Sequence, residues 1–142
     1  MNVVKKMLMM LVVILSTGCA TGLNSIQLQE YKSFELDGVL VEEKDPSVGA
    51  ALGLLPGGGS FYAREPGYGL LNLLLWPFSI LWDPLSGLYG SQKINYTVTK
   101  YALNQKKEKE LSALEEKLGL GEMEYKEYIL AKNKVEAKYS YE

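Results

Sequence analysis

Only three residues between positions 47 and 90 carry a charge, Arg64, Glu65 and Asp83, although charged residues make up 23% of the whole chain. The block divides into apolar runs at 48–63 and 68–82, and Arg64-Glu65-Pro66-Gly67 between them is a turn signal. The second run has 15 residues, about 22 Å as a helix, against a hydrocarbon core of roughly 30 Å. The first is interrupted sooner, by Pro56 and then Gly57, Gly58 and Gly59. The pattern predicts an apolar helical hairpin over residues 46–90 that either sits in a membrane or packs as a hydrophobic core.

Within that block Gly49, Gly53 and Gly57 recur every four residues, a spacing that lets a second backbone approach closely. Pro56 restricts such packing to the first turns, and a glycine-rich loop with accidental spacing is the alternative. Asn72, among leucines, either bonds to a partner helix or faces water. Asp83 has two readings: an acid held in an apolar setting for a functional purpose, or the N-cap of a helix whose first residue is Pro84. The cap is the simpler of the two. Trp76, Trp82, Tyr62, Tyr68 and Tyr89 lie near the ends or breaks of the runs, as in an interfacial belt or at the rim of a soluble core.

The flanks are polar. In 19–45, Phe34, Leu36, Val39 and Val41 surround Asp37-Gly38, a dipeptide favoured in two-residue hairpins, so the segment reads as an irregular tether or a short β-hairpin. In 91–142, Ile94, Val98 and Tyr101, then Leu111, Leu114 and Leu118, recur at steps of three and four, which predicts an amphipathic helix. Gly119 and Gly121 end it. A second helix follows over about 122–138, with Met123, Tyr125, Tyr128, Ile129 and Ala131 on a broad face. The charges of 106–117 form a solvated helix face. The expected fold class is mainly α, ending in a charged helical pair.

The N-terminus has the three parts of a secretory signal: Lys5 and Lys6, an apolar run over 7–15, and small residues at 16–18. Nine apolar residues rise only about 14 Å, so cleavage is expected rather than a permanent span. Gly18-Cys19 resembles the lipobox of bacterial lipoproteins, with Ser16 where that family usually has leucine and Leu15 one place earlier, and Cys19 is the sole cysteine. The resemblance implies a diacylglycerol on the Cys19 thiol, cleavage by signal peptidase II between Gly18 and Cys19, and further acylation (palmitate, for example) of the new amine. One acyl chain holds a protein marginally, whereas two or more hold it stably. Residues 1–18 are then the signal, and no cofactor beyond the covalent lipid is expected. A plain secreted chain with a free thiol is the alternative. Ala20 in second place implies, in a host with two membranes, the periplasmic face of the outer membrane. The inner membrane is the alternative, since true transmembrane helices are normally retained there.

Cleavage leaves 13 bases against 17 acids, which argues against nucleic acid as a partner. The chain has no histidine, which excludes Ser-His-Asp and Cys-His catalysis and removes the commonest metal ligand. Residues 53–60 superficially match a phosphate-binding loop, but Gly59 stands where the lysine before Ser60 is required, so no nucleotide is expected. Gly58-Gly59-Ser60-Phe61-Tyr62 and the second apolar run resemble the two-transmembrane-helix domain. Together with Leu74-Leu75-Trp76-Pro77 and Trp82-Asp83-Pro84, they also resemble small bacterial lipoproteins that carry a similar run. Leu111, Leu114, Gly119 and Glu124-Tyr125 resemble the short C-terminal domain (SHOCT) family. These resemblances imply membrane association without catalysis. The expectation is a small, non-enzymatic envelope lipoprotein that contacts membrane lipid or an envelope protein through 46–90. The alternative is an accessory subunit that stabilises a larger membrane complex through the Gly49/Gly53 face.

Overall fold

The computed structural model describes residues 22–141; the signal segment, Gly18 and Cys19 lie outside it. The chain is mainly α, as the patterning predicts, with no strand among the described residues. Its helices are α1 (Ser25–Leu36), α2 (Pro46–Leu52), α3 (Gly58–Tyr62), α4 (Pro66–Leu74), a 3-10 turn (Phe78–Leu81), α5 (Asp83–Gly119) and α6 (Tyr125–Lys138). They form two compact units. The first comprises 22–24 and Glu42–Asn95, and the second 25–41 and 96–141. Helix α5 contributes its first part to one unit and its remainder to the other. Composition placed 19–45 apart from both blocks, but 25–41 belongs with the C-terminal helices.

The β-hairpin reading of 34–41 gives way to a helix end. Gly38 adopts φ 66°, Val39 N–H donates to Phe34 O and Gly38 N–H to Glu35 O. These are the two bonds of a Schellman cap, which needs the same left-handed glycine as a hairpin turn. The end of α5 repeats the device. Gly121 has φ 72°, with Glu122 N–H on Lys117 O and Gly121 N–H on Leu118 O. Gly121 is therefore the stop, and Gly119 is still helical.

The predicted hairpin over 46–90 is divided more finely. Asp45 caps α2, accepting from Ser47 N–H at 2.7 Å and Val48 N–H at 3.3 Å, with Pro46 in the first turn. Within the first run α2 stops at Leu52 and the turn through Pro56 and Gly57 leads into α3, and the turn at 64–67 leads into α4 with Pro66 in its first turn. The region is thus a set of short helices laid against the start of α5.

In the second unit Phe34 is fully buried, with its ring 6.0 Å from that of Tyr96 and 4.9 Å from that of Tyr141. Tyr31 and Leu103 complete this aromatic and aliphatic core. At its edge Glu30 accepts from Tyr96 Oη at 2.6 Å and Lys100 Nζ at 2.8 Å. Burial alone would raise the Glu30 pKa, but the hydrogen bonds from Lys100 and Tyr96, with the lysine's charge, bring it below the ordinary value. The Lys100 pKa is raised, chiefly by its hydrogen bond to Glu30. Burial and the bond to Glu30 raise that of Tyr96.

A depressed carboxyl contributes stability that is present above its unfolded pKa and lost as pH falls through its folded one. Raised Lys and Tyr groups contribute stability that is present below their unfolded pKa and lost as pH rises through the folded one. Thermal unfolding should therefore show stability falling below about pH 4.5 and again above about pH 10. The Glu30→Gln variant should lose the Glu30 share of the acid limb, leaving that of Glu110, whose pKa is lowered by its hydrogen bonds from Lys138 and Tyr139. The Glu30 share is at most about 1 kcal/mol, because water screens the half-exposed Lys100.

Candidate functional site

The first unit buries polar and small residues and exposes large apolar ones. Every buried residue in its described part is Gly, Ala, Ser, Asn or Asp. Leu54, Leu55, Phe61, Leu70, Leu73, Leu74, Trp76, Phe78, Leu81 and Leu85 are exposed, with Leu74 at 74% and Leu81 at 78%. The second unit has the usual arrangement, with Phe34, Tyr31 and Leu103 inside.

At the centre of the first unit stands Asp83, whose side chain is fully buried. Helix α3 starts at the left-handed Gly57, which has no side chain to cap it, so its first N–H groups need an acceptor from elsewhere. Asp83 supplies it, accepting from Gly59 N–H and Ser60 N–H, each at 3.1 Å. Ser60 Oγ donates to the same carboxyl at 2.6 Å and Asn72 Nδ2 donates at 2.7 Å. Asn72 Nδ2 also donates to Ser60 Oγ at 2.9 Å, and Asn72 Oδ1 accepts from Trp82 Nε1 at 2.9 Å. The sequence reading of Asp83 as the cap of its own helix is thus corrected: it caps α3, across the fold.

Glycines permit the close approach. A Cβ on Gly87 would lie 2.0 Å from Gly49 O, one on Gly49 would lie 2.4 Å from Gly87 O, and one on Gly53 would lie 2.3 Å from Pro84 N. Gly49 and Gly53 form a packing face, as their spacing suggests, but the helix against it is α5 of the same chain; Gly57, at the left-handed start of α3, meets the Gly69 carbonyl instead. Gly49 and Gly53 are therefore already covered. Asn72 likewise bonds within the unit and does not face water.

Further along α5, Asn95 Oδ1 accepts from Glu43 N–H at 3.0 Å and Lys44 N–H at 2.9 Å, and its Nδ2 donates to Lys44 O at 2.7 Å. Around it gathers a polar band. Arg64 pairs with Glu43, Lys44 lies 4.4 Å over the Tyr62 ring, and Asp45 N–H donates to Tyr62 Oη at 3.1 Å. Gly87 was not singled out from the sequence, and Ser60 and Asn95 entered it only within resemblance motifs, with no role of their own. The readable signal was the four-residue step Asp83, Gly87, Ser91 and Asn95 on one stripe of α5.

The second unit has a cleft of about 470 Å³ whose lining includes Glu30, Lys100, Asn104, Lys107 and Tyr139. Its charges are of both signs and partly neutralised by the Glu30–Lys100 pair, so it carries no clear ligand chemistry. In the Asp83 cluster the carboxyl and amide groups answer one another. The arrangement shapes a unit with an apolar exterior. No family model, curated protein or solved structure matches this chain.

Proposed function

We propose that the protein is a small, non-enzymatic lipoprotein of the bacterial envelope, anchored through lipid on Cys19. Its first unit makes a second apolar contact, and its charged C-terminal helices reach into the aqueous compartment. The observation that carries this reading is the sole cysteine, Cys19, placed directly behind a signal-like segment and a small residue. The apolar exterior of the first unit supports it, because a protein held at a membrane has a use for such a surface. In a host with two membranes, Ala20 favours the outer one.

The alternative, an accessory subunit of a larger membrane complex, would have to dock by that exterior and not by Gly49 and Gly53, which α5 covers. Labelled palmitate given to growing cells should enter the wild-type protein. Cys19→Ser should abolish both the label and the size shift of signal peptidase II processing. Equal labelling and processing of the two would contradict lipidation at Cys19.

A further inference from the structure

We infer that the first unit is a monotopic membrane domain, immersed in one leaflet of the bilayer, with its polar core closed against lipid. Its fully buried positions are polar or small, while Leu74, Trp76, Phe78 and Leu81 stand mostly exposed on the 74–81 connection. In hydrocarbon an unsatisfied peptide group costs several kcal/mol, and breaks in a helix are tolerated where neighbouring helices, side chains and local 3-10 turns re-satisfy the freed backbone.

Many backbone donors of the connecting segments meet that condition, while Ser79 Oγ on the 74–81 connection is buried without a partner. Trp76, Phe78, Ser79, Ile80 and Trp82 donate their N–H groups to carbonyls three or four residues back, as do Leu54, Leu55 and Gly58. Pro56 and Pro77, at the breaks, have no N–H to satisfy. The broken start of α3 is met by Asp83.

The dimensions point to one leaflet. Both apolar connections meet at the start of α5: Gly53 packs on Pro84, and residues 78–82 lead directly into Asp83. The polar band of Glu43, Lys44, Asp45, Tyr62 and Arg64 gathers toward Asn95. From Asp83 to Asn95 the helix rises about 18 Å, against about 15 Å for half a hydrocarbon core. Among the described residues no helix is long and apolar enough to cross a membrane.

The start of the mature chain marks the bilayer as the occupant. Gly22 lies against Tyr89, where a Cβ would be 3.3 Å from Cγ of the ring. Cys19 stands three residues earlier in the sequence, and three residues of chain reach at most about 11 Å. Acyl chains on Cys19, an argument that rests on the proposed anchoring, would thus enter the leaflet beside the unit.

The test uses the mature protein, reconstituted in phosphatidylethanolamine–phosphatidylglycerol vesicles whose acyl chains carry bromine at graded depths. Mid-chain bromine should quench tryptophan fluorescence severalfold more than bromine near the headgroup, and Trp76→Phe should remove most of the effect. An unacylated chain, Cys19→Ser behind an ordinary secretory signal, should still float with vesicles. The double variant Leu74→Lys, Leu81→Lys should float at least tenfold less, with its helical circular dichroism retained. Immersion is overturned if Trp76 is unquenched by bromolipid, whether it stays open to acrylamide or is shielded by a bound protein. It is also overturned if the unacylated chain fails to float. The mass of the Cys19 peptide is scored separately, so loss of the lipid anchor and loss of immersion give different results.

Discussion

Asp83→Ala is expected to destabilise the protein by about 4 kcal/mol, since each buried group left without its partner costs about 1–3 kcal/mol. Truncation would orphan Gly59 N–H and Ser60 N–H at the start of α3, and would remove the acceptor for Ser60 Oγ and Asn72 Nδ2. Asp83→Asn should cost about 2–3 kcal/mol, because one oxygen remains to accept while the new NH2 faces donors. Ser60→Ala removes a single hydroxyl and should cost about 1 kcal/mol. Urea unfolding in mild detergent, followed by tryptophan fluorescence, would measure the series; the Trp82 indole, bonded to Asn72, reports on the cluster directly. A neutral Asp83→Ala would mean that the carboxyl does not hold α3 in place.

Gly87→Ala should destabilise by about 3 kcal/mol, at the upper end of ordinary overpacking. The new methyl would meet the Gly49 carbonyl, a backbone group that cannot rotate aside as a side chain would. In an exposed helix the same change gains up to about 1 kcal/mol. Gly67→Ala supplies that contrast: Gly67 lies in the first turn of α4 with nothing within 4 Å of a Cβ, so about 0.5–1 kcal/mol of stabilisation is expected. Opposite signs at two helical glycines isolate close packing from backbone entropy. The same unfolding midpoints measure both.

The sequence made the outline legible where local chemistry decides structure. The charged helices of 91–142 follow from a three-four periodicity, and their break follows from Gly121 in the left-handed region. The chemistry-bearing positions of the middle block, Gly49, Gly53, Asn72 and Asp83, stood out because they are small or polar among leucines. Their partners did not. Gly49 meets Gly87 across 38 positions of sequence, and Asp83 meets α3 across more than 20; no local pattern encodes such pairings.

Two misreadings share a physical origin. Asp37-Gly38 looked like a hairpin because a left-handed glycine serves a turn and a helix stop equally well. The middle block reads as an apolar helical hairpin that either sits in a membrane or packs as a core, and its apolar residues, ordinarily a guide to the core, here mark the exterior. An inverted unit reads from sequence as its opposite, and only the side on which Asn72 and Asp83 lie reveals the inversion.

The most direct measurement is the intact mass of the mature protein extracted from host membranes, with the N-terminal peptide sequenced. A lipid-anchored protein should begin at Cys19 and carry the mass of a diacylglycerol on its thiol, with or without an added amide-linked acyl chain. A mature chain beginning elsewhere, or one with a free Cys19 thiol, would contradict it.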